Sequence, residues 1–218
     1  MSYRITALRM QKRNRQRVSV YLDGEYAFGL ARIVAAWLQV GQEITEDRVA
    51  QLQAEDACEA AYQRALKFIS YRPRTETEIR RNLAKQALSE ETSEQAIERL
   101  KRSGLINDAS FAQGWVDSRV ANRPSSRRAL AYELKQRGID AQIIAQTLDS
   151  IDDEEMAYHT ALKHARRVNE VEWNRFFQKM VRYLSQRGFS YEVSSQVISR
   201  VWEQIRTTDQ SQDYEAPL

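Results

Sequence analysis

Cysteine, histidine, proline and glycine are all scarce in this chain. One cysteine, Cys58, in 218 residues excludes an internal disulfide and any thiolate zinc cluster. Its acidic neighbours Glu55, Asp56 and Glu59 disfavour a reactive thiolate, so it reads as a small, partly buried helix residue. The two histidines, His159 and His164, lie five apart and off a common helical face, so they form no zinc pair. Three prolines and seven glycines are well below the roughly 12% of an average chain, too few turn-formers for a sandwich or barrel. The glycines form neither a Walker loop nor a dinucleotide fingerprint. No apolar run approaches the ~20 residues a membrane span needs, and mean hydropathy is −0.65. Met1-Ser2-Tyr3-Arg4-Ile5 has no signal-peptide core, which with the rest points to a cytoplasmic protein without a membrane partner. Glu154 and Glu155, with Asp152 and Asp153, read as an acidic helix start and not as general acids. The reading is a non-enzyme, with no cofactor and no metal.

What is present is a repeat. Leu83, Leu134 and Leu184 are spaced by 51 and 50 residues, and each follows an apolar residue four earlier: Ile79, Leu130 and Met180. Each opens a similar hexad: Leu83-Ala84-Lys85-Gln86-Ala87-Leu88, Leu134-Lys135-Gln136-Arg137-Gly138-Ile139 and Leu184-Ser185-Gln186-Arg187-Gly188-Phe189. A helix-starting residue follows each hexad: Ser89, Asp140 and Ser190. Further on come Ile97 and Leu100, Leu148 and Ile151, Ile198 and Val201. The pattern predicts helix, tight turn, helix, three times. An opening helix precedes each pair, with Ala-Tyr-x-x-Ala-Leu-Lys at Ala61 and again at Ala157, and Phe111, Trp115, Val116 and Val120 at helical spacing between. Pro73 and Pro124 end the first two opening helices, and Thr75 with Glu78 forms a capping box. The expectation is a mainly α protein of three-helix units at 57–106, 107–151 and 152–206, sharing a core between neighbours. The third unit lacks the proline and has a longer link from Asn169 to Trp173.

Residues 1–56 differ. Arg4 to Met10 and Arg17 to Leu22 alternate apolar with polar residues, and Asp23-Gly24 marks a tight hairpin into Glu25–Phe28. A small three-stranded β element is expected, followed by helices near Ala31–Leu38 and Thr45–Asp56. Residues 207–218 read as a polar, disordered tail.

Net charge is only +3, from 33 basic and 30 acidic residues. The basic residues are clustered, however. Lys12, Arg13, Arg15 and Arg17, with Arg9, fall in a stretch without acids, and make candidate DNA contacts. Arg72, Arg74, Arg80 and Arg81 surround the Pro73 turn; Arg119, Arg123, Arg127, Arg128, Lys135 and Arg137 surround Pro124. Arg127 and Arg128 stand at a helix start, where the macrodipole disfavours cations, so an anionic partner explains them better than a solvated face. Tyr71, Trp115, Tyr132, Tyr183 and Trp202 read mostly as core or inter-repeat packing.

The segment Ala65-Leu66-Lys67-Phe68-Ile69-Ser70-Tyr71-Arg72-Pro73-Arg74-Thr75-Glu76-Thr77-Glu78-Ile79-Arg80-Arg81-Asn82-Leu83 resembles the hallmark of the RecX family, regulators of the RecA recombinase. Leu105-Ile106-Asn107-Asp108-Ala109-Ser110-Phe111-Ala112 is similar to that family's junction between repeats, and Ser118-Arg119, Pro124 and Leu134–Ile139 also fit. Ala87 stands where the family often has glycine. The resemblance implies an elongated crescent of three-helix repeats with a β-rich N-terminal extension. It further implies a cytoplasmic regulator, monomeric in solution, that lies in the groove of the RecA–single-stranded-DNA filament. There it would inhibit ATPase, strand-exchange and co-protease activities in recombination, DNA repair and the SOS response. The alternative is direct binding of single- or double-stranded DNA by basic helix faces. Candidate partner-binding residues, chosen on charge geometry, are Arg72, Arg74, Arg80, Arg81, Arg119, Arg123, Arg127, Arg128 and Lys135.

Overall fold

The computed structural model describes residues 2–86, 88–168 and 172–213, with side chains up to residue 207. Ala87, the turn residue of the first repeat, lies outside the described residues, as do 169–171 of the third-repeat link and 214–218 of the tail. The chain divides into two compact units, Met1–Asn107 and Asp108–Leu218.

The first unit begins with strands β1 (Ser2–Met10), β2 (Arg17–Leu22), β3 (Glu25–Ala31) and β4 (Glu43–Thr45), in the antiparallel order β3-β2-β1-β4. Asp23 (φ 50°) and Gly24 (φ 95°) both take positive φ, as a type I′ hairpin requires. The sheet therefore has four strands where three were expected. β4 is three residues long, too short to show alternation, and pairs Ser2, Tyr3 and Arg4 of β1 with Thr45, Ile44 and Glu43. The helix expected over 31–38 is only a 3-10 turn, Val34–Trp37. Its apolar residues do not share one inward face: Ala35 and Leu38 are buried, whereas Ile33 and Trp37 are exposed.

Helix α1 runs unbroken from Glu46 to Ile69, capped by Thr45, whose side chain accepts the Arg48 N–H. The helix expected at 45–56 and the opening helix of the first repeat are thus one element, and the 56/57 boundary falls inside it. Leu52 belongs to the sheet's core with Ile5, Val20 and Leu30, while Ala61 and Ala65 belong to the next cluster. Asp56 pins this helix to the sheet: its carboxylate accepts the Ala31 N–H (2.5 Å) and pairs with Arg17 (2.8 Å). Helices α2 (Glu76–Ala84) and α3 (Glu90–Arg102) complete the repeat, capped by Thr75 and Ser89. Ile79, Leu83, Ile97 and Leu100 are buried, as their spacing predicted.

The second unit contains α4 (Asp108–Asn122), α5 (Arg127–Gln136) and α6 (Ala141–Thr147), then α7 (Asp153–Ala165), α8 (Trp173–Ser185) and α9 (Tyr191–Asp213). Ser126, Asp140 and Asp152 cap α5, α6 and α7 through their side chains. Leu130, Leu134, Met180, Leu184, Ile198 and Val201 have no more than 0% relative exposure, and Leu148 has 1%. Leu130 and Leu134 occupy in the second repeat the places of Met180 and Leu184 in the third. Gly138 (φ 79°) and Gly188 (φ 86°) form the two tight turns. Val120, expected on the inward stripe of α4, is exposed instead, and Ala112 and Val116 carry the packing.

Two expectations change. Within the second unit, the second and third repeats each close their own buried cluster instead of sharing one, and in the first unit the first repeat has a buried cluster of its own. The small residues Ala61 and Ala65, Ala112, and Ala157 and Ala161 let the opening helices approach closely, so three short helices bury their stripes unaided. The tail expected from residue 207 begins as helix: α9 extends to Asp213, since adding a residue to an existing helix costs far less than starting one.

Candidate partner-binding surface

At the first proline turn the arginines are held by carboxylates. Both terminal nitrogens of Arg72 donate to Glu78 (3.0 and 3.2 Å), and Nη1 also donates to the Pro73 carbonyl (3.0 Å). The Arg74 side chain is only 18% exposed; its guanidinium covers the Phe68 ring at 3.9 Å, and its buried Nε has no hydrogen-bond partner among the described residues. Arg80 bridges Glu76 (3.0 Å) and Glu94 (2.6 Å), and Lys101 reaches Glu76 at 2.6 Å. Burial by itself would raise the Glu76 pKa, but the hydrogen bonds and charges of Lys101 and Arg80 outweigh it and hold the carboxyl below its ordinary value. The hydrogen bond that Arg80 donates to Glu94, opposed by burial, raises the Arg80 pKa; the one that Lys101 donates to Glu76 does the same for Lys101. Of the four arginines here, Arg81 is exposed and carries no ion pair among the described residues.

The second proline turn is different. Arg119 donates to Glu133 (2.8 Å), which also accepts the Trp115 indole N–H (2.9 Å), and the Arg137 guanidinium lies 3.7 Å from the Trp115 ring centroid. Those groups are structural. Arg123, Arg127, Arg128 and Lys135 are exposed and form no side-chain ion pair among the described residues. The first turn of α5 contains no acidic residue to offset its two arginines, against the preference of a helix N-terminus. Their placement is enforced by the caps: Ser126 accepts the Ala129 N–H (3.2 Å), and the Arg127 N–H donates to Asp153 (2.6 Å). Arg128, Tyr132 and Lys135 fall at i, i+4 and i+7 and so share one helix face.

Beside that face is an open groove of about 600 Å³, lined by Ala131, Ala141, Ile144, Ala145 and Leu148 and bordered by Arg127, Arg128 and Lys135 together with one carboxylate, Asp153. Tyr132, expected to pack internally, is 64% exposed along it; Tyr71 is likewise exposed, whereas Trp115, Tyr183 and Trp202 are partly buried. The groove escaped the sequence reading because its floor combines two helices whose apolar residues each looked like core. The Arg128, Tyr132, Lys135 periodicity was the available signal.

In the β1–β2 loop, Lys12, Arg13 and Arg15 are exposed and unpaired among the described residues, whereas Arg17 is a strut to Asp56 and the Gly29 carbonyl. Arg9 lies over the Tyr21 ring at 5.1 Å. Cys58 is partly buried, its thiol donating to Gln95 Oε1 (2.8 Å), with its pKa pushed up chiefly by burial.

The comparisons with known proteins converge. Family models match 3–45 as the N-terminal domain of the regulatory protein RecX, and 61–100, 107–148 and 152–198 as the first, second and third three-helix domains of RecX. The chain is 30% identical over 205 residues to the regulatory protein RecX of Clostridium beijerinckii, covering 91% of this chain and 95% of that one. It is 29% identical to the Bacillus pumilus regulatory protein RecX, covering 91% and 78%. A crystal structure of regulatory protein RecX superposes with a TM-score of 0.72 at 30% identity, covering 89% of this chain and 98% of that one. RecX from Lactobacillus salivarius gives 0.60 at 25% identity, covering 67% and 97%. Among the described residues no helix is long and apolar enough to cross a membrane. With its N-terminal sheet and all three helical repeats accounted for, the chain belongs to the RecX family of regulatory proteins.

Proposed function

We propose that this protein binds the RecA–single-stranded-DNA filament in the cytoplasm and mainly inhibits its ATPase, strand-exchange and co-protease activities, without catalysis of its own. Family membership supports a regulatory role. The observation that carries the surface assignment is the set Arg127, Arg128 and Lys135, exposed beside the apolar groove and Tyr132 and without a side-chain ion pair among the described residues, with Arg123 exposed just before the same helix. Cations at a helix start are costly, and the Asp153 carboxylate on the Arg127 N–H offsets only part of that cost, so an anionic partner would be favoured. An apolar floor inside a mainly basic rim, with Asp153 as its one carboxylate, suits a protein partner with acidic residues around an apolar patch better than it suits bare phosphate. The test is the DNA-dependent ATPase rate of RecA titrated with this protein. A concentration-dependent fall supports the reading, and an unchanged rate with full filament formation refutes it.

A second reading, direct DNA binding, is favoured by Lys12, Arg13 and Arg15, three exposed cations on one loop that form no ion pair among the described residues. The two readings separate in a titration of labelled single-stranded DNA with and without RecA. Binding without RecA that weakens steeply with salt marks the second.

A further inference from the structure

Within the second unit a cleft of about 660 Å³ lies between the end of α4, the 150–152 loop, α7 and the end of α8. One wall is apolar, with Val120, Pro124, Ile151 and Met156. The opposite end contains a stack: the His164 ring lies flat on Tyr183 (centroids 3.5 Å apart, planes within 3°), and the Arg187 guanidinium lies 3.7 Å from the same ring's centroid. Two groups that close to one centroid cannot share a face, so the tyrosine is sandwiched. Lys163 and Arg167 border the same end, while Asp152 and Glu155 border the cleft's rim.

Two buried polar atoms in this cleft's lining are unsatisfied among the described residues, the Thr160 hydroxyl and Arg187 Nε. Thr160 as a whole is 5% exposed. Leaving a buried donor unpaired is costly, and two such atoms on residues of one cleft mark it as a place where an acceptor would be favoured. Burial chiefly lowers the His164 pKa, and the nearby charges of Arg187 and Arg167 lower it further.

We propose that the cleft binds a nucleotide, its phosphate seated among Arg187, Lys163 and the Thr160 hydroxyl and its base against the Val120, Pro124 and Ile151 wall. Three permanent cations at the basic end suit a phosphate dianion. The carboxylates at the rim can accept base N–H groups and would repel a bare anion entering alone. The volume far exceeds a phosphate and accommodates a mononucleotide. The site involves neither Arg123, Arg127 nor Arg128, so it stands or falls apart from the filament reading.

The phosphate can come from a free nucleotide or from a strand, and the test has an arm for each. The probes are deoxyadenosine monophosphate and a 5′-phosphorylated thymidine pentamer, titrated into the full-length protein while His164 ring resonances are followed by NMR. Saturable shifts with either probe, with the His164 pKa rising on binding, are expected; which probe saturates identifies the source. Deoxyadenosine without phosphate and inorganic phosphate alone should bind at least about tenfold more weakly. Lys163→Gln and Thr160→Val should each weaken binding about fivefold or more without lowering the melting temperature. No saturation by about 10 mM of either probe overturns the proposal. So does undiminished binding in both variants, or inorganic phosphate matching the nucleotide.

Discussion

The Ser126 hydroxyl donates to the Gly188 carbonyl (2.7 Å) while accepting the Ala129 N–H (3.2 Å), so one side chain both caps α5 and ties the second repeat to the turn of the third. The Ser126 N–H donates to the adjacent Arg187 carbonyl (2.9 Å). The approach leaves no room for a side chain at 188: an added Cβ would lie 2.7 Å from Ser126 Oγ and 2.8 Å from Ala129 Cβ.

Gly188→Ala therefore combines a strained φ of +86° with a collision. It should cost about 2–4 kcal/mol by chemical denaturation. Gly104, at φ +66° with nothing within 4 Å of an added Cβ, isolates the backbone contribution. Gly104→Ala should cost about 1 kcal/mol. Equal losses at the two positions would show that the Ser126 contact is loose.

Leu83, Leu134 and Leu184 are each 0% exposed in separate clusters. Truncation of any one to alanine should cost about 2–5 kcal/mol, measured by urea unfolding. Because the clusters are separate, the double variant Leu83→Ala with Leu184→Ala should be additive within about 0.5 kcal/mol.

Replacing Arg123, Arg127 and Arg128 with glutamate should abolish inhibition of the RecA ATPase and leave helicity and melting temperature nearly unchanged. Acidic side chains in the first turn of α5 suit the helix dipole, but a glutamate at 127 would face Asp149, Asp152 and Asp153, so the two effects oppose and the net change should be small. Reversal of Arg13 and Arg15 should affect DNA retention more than RecA inhibition. A triple variant that inhibits at wild-type concentrations would move the functional face elsewhere.

Glu76 links α2 to α3 through Lys101 and has its pKa lowered in the folded state. A depressed carboxyl pKa stabilises above the unfolded value and loses that contribution as pH falls through the folded one. Acid unfolding of Glu76→Gln should consequently start from a stability lower by about 0.5–1 kcal/mol at neutral pH. The gap to wild type should narrow below about pH 4. A constant gap across that range would assign the loss to packing.

The repeats were legible because burial at fixed helical spacing repeats in the chain itself. Ile79 and Leu83, Leu130 and Leu134, and Met180 and Leu184 could be aligned without knowing what they touch, and Ser89, Asp140 and Ser190 announced the next helix by side-chain chemistry alone. The Asp23-Gly24 hairpin was equally local. What required the tertiary structure was pairing between residues distant in sequence. β4 exists only because β1 offers it an edge, and Arg17 is a strut only because Asp56 arrives beneath it. Charge was the least legible property of all. Arg72, Arg74, Arg80 and Arg119 look the same in the chain as Arg123, Arg127 and Arg128, yet neighbouring carboxylates or rings engage the first four, while the last three are exposed and form no side-chain ion pair among the described residues. A guanidinium's availability depends on which carboxylate lies within about 4 Å, and that distance is set by helix packing, not by the order of residues.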